Sequence, residues 1–194
     1  HTRCSVVSGL GDVYKRQIFP GVLFGSMPIR IIFAIQTRSN SNEMISIQPV
    51  LHNKKQYLDL LLLADEQESM IDRYLERGEM FVLSEDGSIR ASCVVTREAE
   101  DIFEIKNIAV YPQFQRRGYG KKLIQYLFGH YAGRCRTMLV GTGDSPLAIP
   151  FYENCGFTYS HRIPDFFTDN YDHPIYEAGK QLKDMVYLKR NMDE

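Results

Sequence analysis

Between Ile102 and Tyr131 the chain runs through a β-rich stretch, a glycine loop and an amphipathic helix, and that succession constrains the fold more than any other feature. Ile102 to Tyr111 has the β-branched and aromatic content of a strand, and Pro112, which has no N–H to give to a ladder, ends it. Gln115-Arg116-Arg117-Gly118-Tyr119-Gly120-Lys121 then opens a helix from about Gly118 to Tyr131. Its apolar residues Leu123, Ile124, Leu127, Phe128 and Tyr131 fall on one face at spacings of one, three and four. A strand that passes through a glycine turn into such a helix lays the helix on a sheet, so the expected class is α/β or α+β.

The flanking sequence extends this pattern. Ile45, Ile47 and Val50 alternate as in a short strand, and Leu58, Leu61, Leu62, Met70, Ile71, Tyr74 and Leu75 recur at helical spacing, with Gly78 placed as a C-cap. Met80–Ser84 and Ile89–Thr96 flank the turn residues Glu85-Asp86-Gly87-Ser88, which predicts a hairpin, and Ile102–Tyr111 continues the antiparallel meander. Thr137–Val140 reads as a buried strand, Pro146–Asn154 as a short helix with proline in its first turn, and Phe157–His161 and Leu182–Leu188 as the last strands. The order is βααβββαβαββ, with a mixed, mainly antiparallel sheet flanked by helices and one long connection from Arg162 to Lys180.

Of the 194 residues, one domain of roughly 150 accounts for most. Residues 1–43 differ from the rest: they hold five basic residues (Arg3, Lys15, Arg16, Arg30, Arg38) and two acidic ones (Asp12, Glu43). Removing these from the 23 basic and 24 acidic residues of the whole chain leaves 18 and 22, a net charge of −4 for residues 44–194. Pro20, Gly21, Gly25, Pro28 and Arg30 break the apolar stretch Ile18–Ile35 below the roughly 18 residues that a membrane span needs. His1–Gln17 resembles adaptor-derived sequence, so 1–43 is expected to be non-native or disordered and Met44 to be the true start. The charge balance excludes a nucleic-acid binder held by bulk charge. Cys4, Cys93, Cys135 and Cys155 form no CxxC pair and no histidine stands at ligand spacing, so free thiols, a cytoplasmic location and no metal are expected.

The glycine loop carries the chemistry. Glycines let backbone approach a ligand, and the first N–H groups of a helix lack internal partners while the helix dipole favours an anion there, so a pyrophosphate suits the site. It is neither of two familiar phosphate motifs. Lys122 stands where GxxxxGK[ST] needs Ser or Thr, and Leu123 stands where GxGxxG needs its third glycine.

With the QxxGxG loop at Gln115–Gly120, the preceding strand Ile105-Lys106-Asn107-Ile108-Ala109-Val110 and the downstream Phe151-Tyr152-Glu153-Asn154-Cys155-Gly156-Phe157, residues 44–194 resemble the GCN5-related N-acetyltransferase (GNAT) family. The resemblance implies acetyl-CoA lying where the fourth and fifth strands splay apart. Its pyrophosphate would sit on the amides of Gln115, Arg116, Arg117, Gly118, Tyr119, Gly120 and Lys121, and its pantetheine arm along Ile108, Ala109 and Val110. It further implies Tyr152 as the general acid for the departing thiolate. Glu104, on the same strand, is the candidate general base, against the alternative that strand alternation turns it to solvent; Asp144 is a second candidate. The aromatic and acidic connection 162–180 is expected either to receive a cationic amine or to fill core. The expected activity is acetyl transfer from acetyl-CoA to a primary amine by direct attack in a ternary complex, with a non-catalytic acyl-CoA-binding module as the alternative. No nucleic-acid or membrane partner is expected, and a homodimer is left open.

Overall fold

A computed structural model describes residues 44–193, and the expectations for 1–43 lie outside the described residues. The order is β1 (Ile45–Val50), a short 3-10 turn, α1 (Leu58–Leu61), α2 (Glu68–Ile71), β2 (Glu79–Glu85), β3 (Ser88–Arg97), β4 (Ile102–Val110), α3 (Tyr119–Tyr131), β5 (Thr137–Gly143), α4 (Ala148–Glu153) and β6 (Thr158–Ile163). It continues with α5 (Phe166–Asn170), β7 (Tyr176–Glu177), β8 (Lys180–Gln181) and β9 (Met185–Asn191). Seven strands form one sheet in the order β1-β2-β3-β4-β5-β9-β6, in which only β4 and β5 run parallel. The expected order therefore holds, and the long connection adds α5 and the small β7-β8 hairpin that its sequence did not predict.

The β2-β3 hairpin closes where Glu85 pairs with Ser88, with Asp86 and Gly87 both at positive φ (51° and 76°), the backbone twist that two-residue hairpins favour. Gly78 is not a left-handed helix cap. A Cβ there would stand 2.6 Å from Val94 Cγ1 and 2.9 Å from the Tyr74 carbonyl, so close approach of the turn to β3 is what requires glycine.

Both faces of the sheet are covered. On one, Phe103, Ile105, Ile108 and Val110 of β4 pack with Leu123, Ile124, Leu127 and Tyr131 of α3 in the largest apolar cluster. On the other, α1 lies against Ala109, and Phe166, Phe167, Tyr171, Ile175 and Leu182 of the long connection pack with Met185 and Tyr187 of β9. Strict alternation would put Ile105 and Ile108 on opposite faces. They share one because β4 carries a bulge: Ile105 pairs with Val95 and Asn107 with Val94, leaving Lys106 as the extra residue. Among the described residues no helix is long and apolar enough to cross a membrane.

Candidate active site

The parallel ladder between β4 and β5 covers only Ile102 to Ile105 against Thr137 to Val140, after which β5 pairs with β9 alone. The two strands part there and leave a fork. Tyr111 N donates to Arg90 O on β3, so alternation of backbone groups turns the N–H and C=O of Ile108 and Val110 into the fork and those of Ala109 toward β3. Gln115 spans the mouth of the fork, donating from Nε2 to Val110 O at 3.2 Å.

The loop beyond it takes two left-handed residues, Arg116 (φ 60°) and Gly118 (φ 86°), before α3 begins. No side chain caps α3 and no acid stands in its first turn, so its first N–H groups and the positive end of its dipole face outward. A Cβ on Gly120 would come within 3.1 Å of Phe151 Cζ, which keeps this approach narrow. Together these groups border a cleft of about 300 Å³. Of the residues predicted to hold cofactor, Val110, Gln115, Arg116, Gly118, Tyr119, Gly120 and Lys121 line it. The side chains of the other three do not line it. Arg117 lies 5.6 Å over the Phe114 ring outside the lining, Ile108 packs its side chain under α3, and Ala109 packs on Leu60 and Ala64. Tyr119 is buried with its hydroxyl committed to Glu85 Oε2 at 2.6 Å, and burial first, then Glu85, raises the phenol above its ordinary pKa.

Phe114, Phe151, Asn154 and Cys155 also line the cleft; the last three belong to the motif downstream of the loop, but none of the four was assigned to the cofactor from sequence. Lys121, Asn154 and Cys155 lead into an adjoining groove reaching Phe128 and Arg190. Spacing from the glycine loop gave no sign of this second wall, since α4 reaches it only through the tertiary fold. The uncapped helix end and the narrow approach at Gly120 suit a pyrophosphate-bearing cosubstrate.

Glu104 sits at the vertex of the fork, paired with Leu139 one residue before the ladder ends. It is 4% exposed, which removes the solvent-facing alternative. Lys106 Nζ donates to its Oε2 at 2.6 Å and Tyr187 Oη to its Oε1 at 3.2 Å. Burial raises its pKa above the ordinary carboxylate range, while the charge and hydrogen bond of Lys106 pull the other way. Asp144, by contrast, accepts from Lys180 Nζ at 2.7 Å. Tyr152 is fully buried, its ring 5.1 Å from that of Phe151 and 5.9 Å from that of Phe157, and it is not among the residues lining the loop cleft. In the long connection Phe166, Phe167 and Tyr171 are core, Asp165, Asp169 and Asp172 are exposed, and Glu177 is buried.

Comparison with known proteins bears directly on this arrangement. Residues 76–159 match the acetyltransferase (GNAT) domain. The chain is 36% identical over 132 residues to the uncharacterized N-acetyltransferase YvbK of Bacillus subtilis, spanning 67% of this chain and 85% of that protein. Among solved structures it resembles a GNAT family acetyltransferase from Elizabethkingia anophelis with acetyl-CoA bound, with TM-score 0.72, 33% identity and coverage of 76% of this chain and 97% of that one. A Bacillus subtilis acetyltransferase in complex with CoA gives TM-score 0.70 and 33% identity, with 76% and 98% covered. With relatives this similar over nearly their whole length, and with a forked sheet beside an uncapped glycine-loop helix, the chain belongs to the GNAT family and is an acetyl-CoA-dependent acetyltransferase.

Proposed function

We propose that the enzyme transfers the acetyl group to a primary amine, of a small molecule or a protein, by direct attack within a ternary complex. The observation that carries this reading is the place of Glu104, a buried carboxylate at the vertex of the fork whose backbone groups face the cleft. When bound, acetyl-CoA supplies the activated thioester. In this reading the amides of the Gln115–Lys121 loop and the start of α3 hold its pyrophosphate, and the fork-facing groups of Ile108 and Val110 hold its arm. The adjoining groove toward Arg190 takes the remainder.

A lysine-like amine of pKa about 10.4 must lose its proton to attack, which at pH 7 costs about 4.6 kcal/mol. Glu104 accepts that proton, directly or through water. Its pKa above the ordinary carboxylate range suits a base working near neutrality. The Val110 N–H, turned into the fork, stabilises the negative charge that develops on the thioester oxygen. Tyr152 returns a proton to the departing thiolate. Cys93, Cys135 and Cys155 are buried as thiols outside any disulfide, which suits a cytoplasmic enzyme.

The test is CoA release from acetyl-CoA across a panel of primary amines and lysine peptides. Turnover with intersecting initial-velocity lines is the expected result. Tight acetyl-CoA binding without turnover on any amine would reject amine transfer.

A further inference from the structure

Lys106 is a buried lysine, 2% exposed, at a point where the strand has gained a residue. The bulge turns both Lys106 and Asn107 onto the face away from α3. Asn107 there donates to Leu61 O and to Tyr74 Oη, both at 3.0 Å, while Lys106 reaches back along its own strand to Glu104. Without the extra residue, Asn107 would take the α3 face and Ile108 would leave it. The bulge thus sets the phase of the apolar face and keeps the ammonium beside the carboxylate.

The charged and titratable groups around this pair are few. From the turn after β3, Glu98 Oε1 stands 3.4 Å from Lys106 Nζ, and Glu98 is itself held by Thr96 Oγ1 at 2.5 Å and by Arg77 Nη2 at 2.8 Å. From β9, Tyr187 donates to Glu104, and from β6 the His161 ring stacks on Tyr187 with centroids 4.6 Å apart. From the α1-α2 side come Tyr74, bonded to Asn107, and the buried Asp65, which accepts from Tyr171 Oη at 3.2 Å. Lys106 is therefore shared between two carboxylates, one at the fork and one toward solvent. Glu98, a like charge, opposes the ionisation of Glu104 that Lys106 favours.

We propose that Lys106 is a positioning residue for acetyl transfer: its ammonium orients the buried Glu104 carboxylate at the fork and offsets the cost of charging it there, while the Glu98 carboxylate, on the other side of the same ammonium, acts in the opposite sense. This rests on the reading of Glu104 as the base. It extends that reading by assigning a role to the bulge, to Lys106 and to Glu98. An opposite charge this close lowers a carboxylate by about 1 to 3 pH units, and a like charge works in reverse.

The test is the titration midpoint of Glu104, followed by NMR of 13Cδ-glutamate-labelled, CoA-saturated protein, with the resonance assigned by its loss in Glu104→Gln. Lys106→Met is expected to move the midpoint up by about 1 to 3 pH units. Lys106→Arg, which keeps the charge, is expected to move it less than Lys106→Met does. Glu98→Gln, at a site open to solvent, is expected to move it down. Midpoints unchanged in both Lys106→Met and Glu98→Gln overturn the proposal. Should Lys106→Met fail to bind CoA, Lys106→Gln is read in its place: an upward move supports the proposal, and an unchanged midpoint overturns it. A role for Lys106 in packing alone leaves the midpoint unmoved in Lys106→Met. The base reading is judged separately: full turnover by Glu104→Gln rejects it while the titration result stands.

Discussion

Gly118→Ala isolates what the glycine loop contributes. Gly118 sits at φ 86° and ψ 3°, and a Cβ added there meets nothing within 4 Å. The cost is therefore backbone strain alone, about 1 to 2 kcal/mol for a non-glycine residue in this region. If the loop holds its shape, the cost appears as lost stability in urea unfolding of the free protein, with acetyl-CoA affinity unchanged. If the loop relaxes, stability is kept and ligand binding must restore the strained form, raising the acetyl-CoA Kd about 5- to 30-fold. The two losses together should reach about 1 to 2 kcal/mol. Gly133→Ala is the matched control, since Gly133 also has positive φ (74°) and open space but lies beyond the end of α3. It should lower stability by a similar amount and leave Kd alone. Gly118→Ala changing neither quantity, or Gly133→Ala weakening acetyl-CoA binding as much, would refute this role of the loop.

Three further outcomes are expected. Gly78→Ala should cost about 1 to 3 kcal/mol in urea unfolding because its methyl collides with Val94, and Val94→Ala in the same chain should recover part of that loss; additive losses would argue against the collision. Burial pushes the Glu98 carboxyl up, but hydrogen bonds from Thr96 and Arg77 outweigh it and hold the group at about 2, below its ordinary value. Its contribution is thus present above the ordinary carboxylate pKa and lost as pH falls toward 2. In thermal unfolding Glu98→Gln should melt below wild type at pH 7, and the gap should close on acidification; a gap independent of pH would contradict this. Tyr152→Phe should lower kcat about 100-fold or more while acetyl-CoA affinity stays within about threefold, and unchanged turnover would remove the hydroxyl from the chemistry.

The succession from β4 through the glycine loop to α3 was legible because each part carries its own local signal: strand composition, a proline stop, glycines and a 3.6-residue apolar stripe. The burial of Glu104 was not, because alternation assigns a face but does not say whether that face is covered, and the cover comes from α1, α2 and the distant 163–184 connection. The bulge did leave a trace. Phe103 and Ile105 keep period two and Ile108 and Val110 keep it again, but the step between Ile105 and Ile108 is three, which only an extra residue allows. Gly78 illustrates the opposite failure: its position after a helical stretch has the look of a cap, whereas its cause is Val94, sixteen residues away in sequence and adjacent in space. The connection from Arg162 to Lys180 was unreadable in detail because its aromatics follow no period. They pack as a separate cluster against Met185 and Tyr187 and not as a stripe on one element.

The central claim is that the buried carboxylate at the fork takes the proton from the attacking amine. Glu104→Gln tests it most directly, with turnover measured on the best amine of the panel and acetyl-CoA affinity measured on the same preparation. The account predicts kcat lower by about 100-fold or more with acetyl-CoA Kd within about threefold of wild type. Wild-type turnover by Glu104→Gln would contradict it.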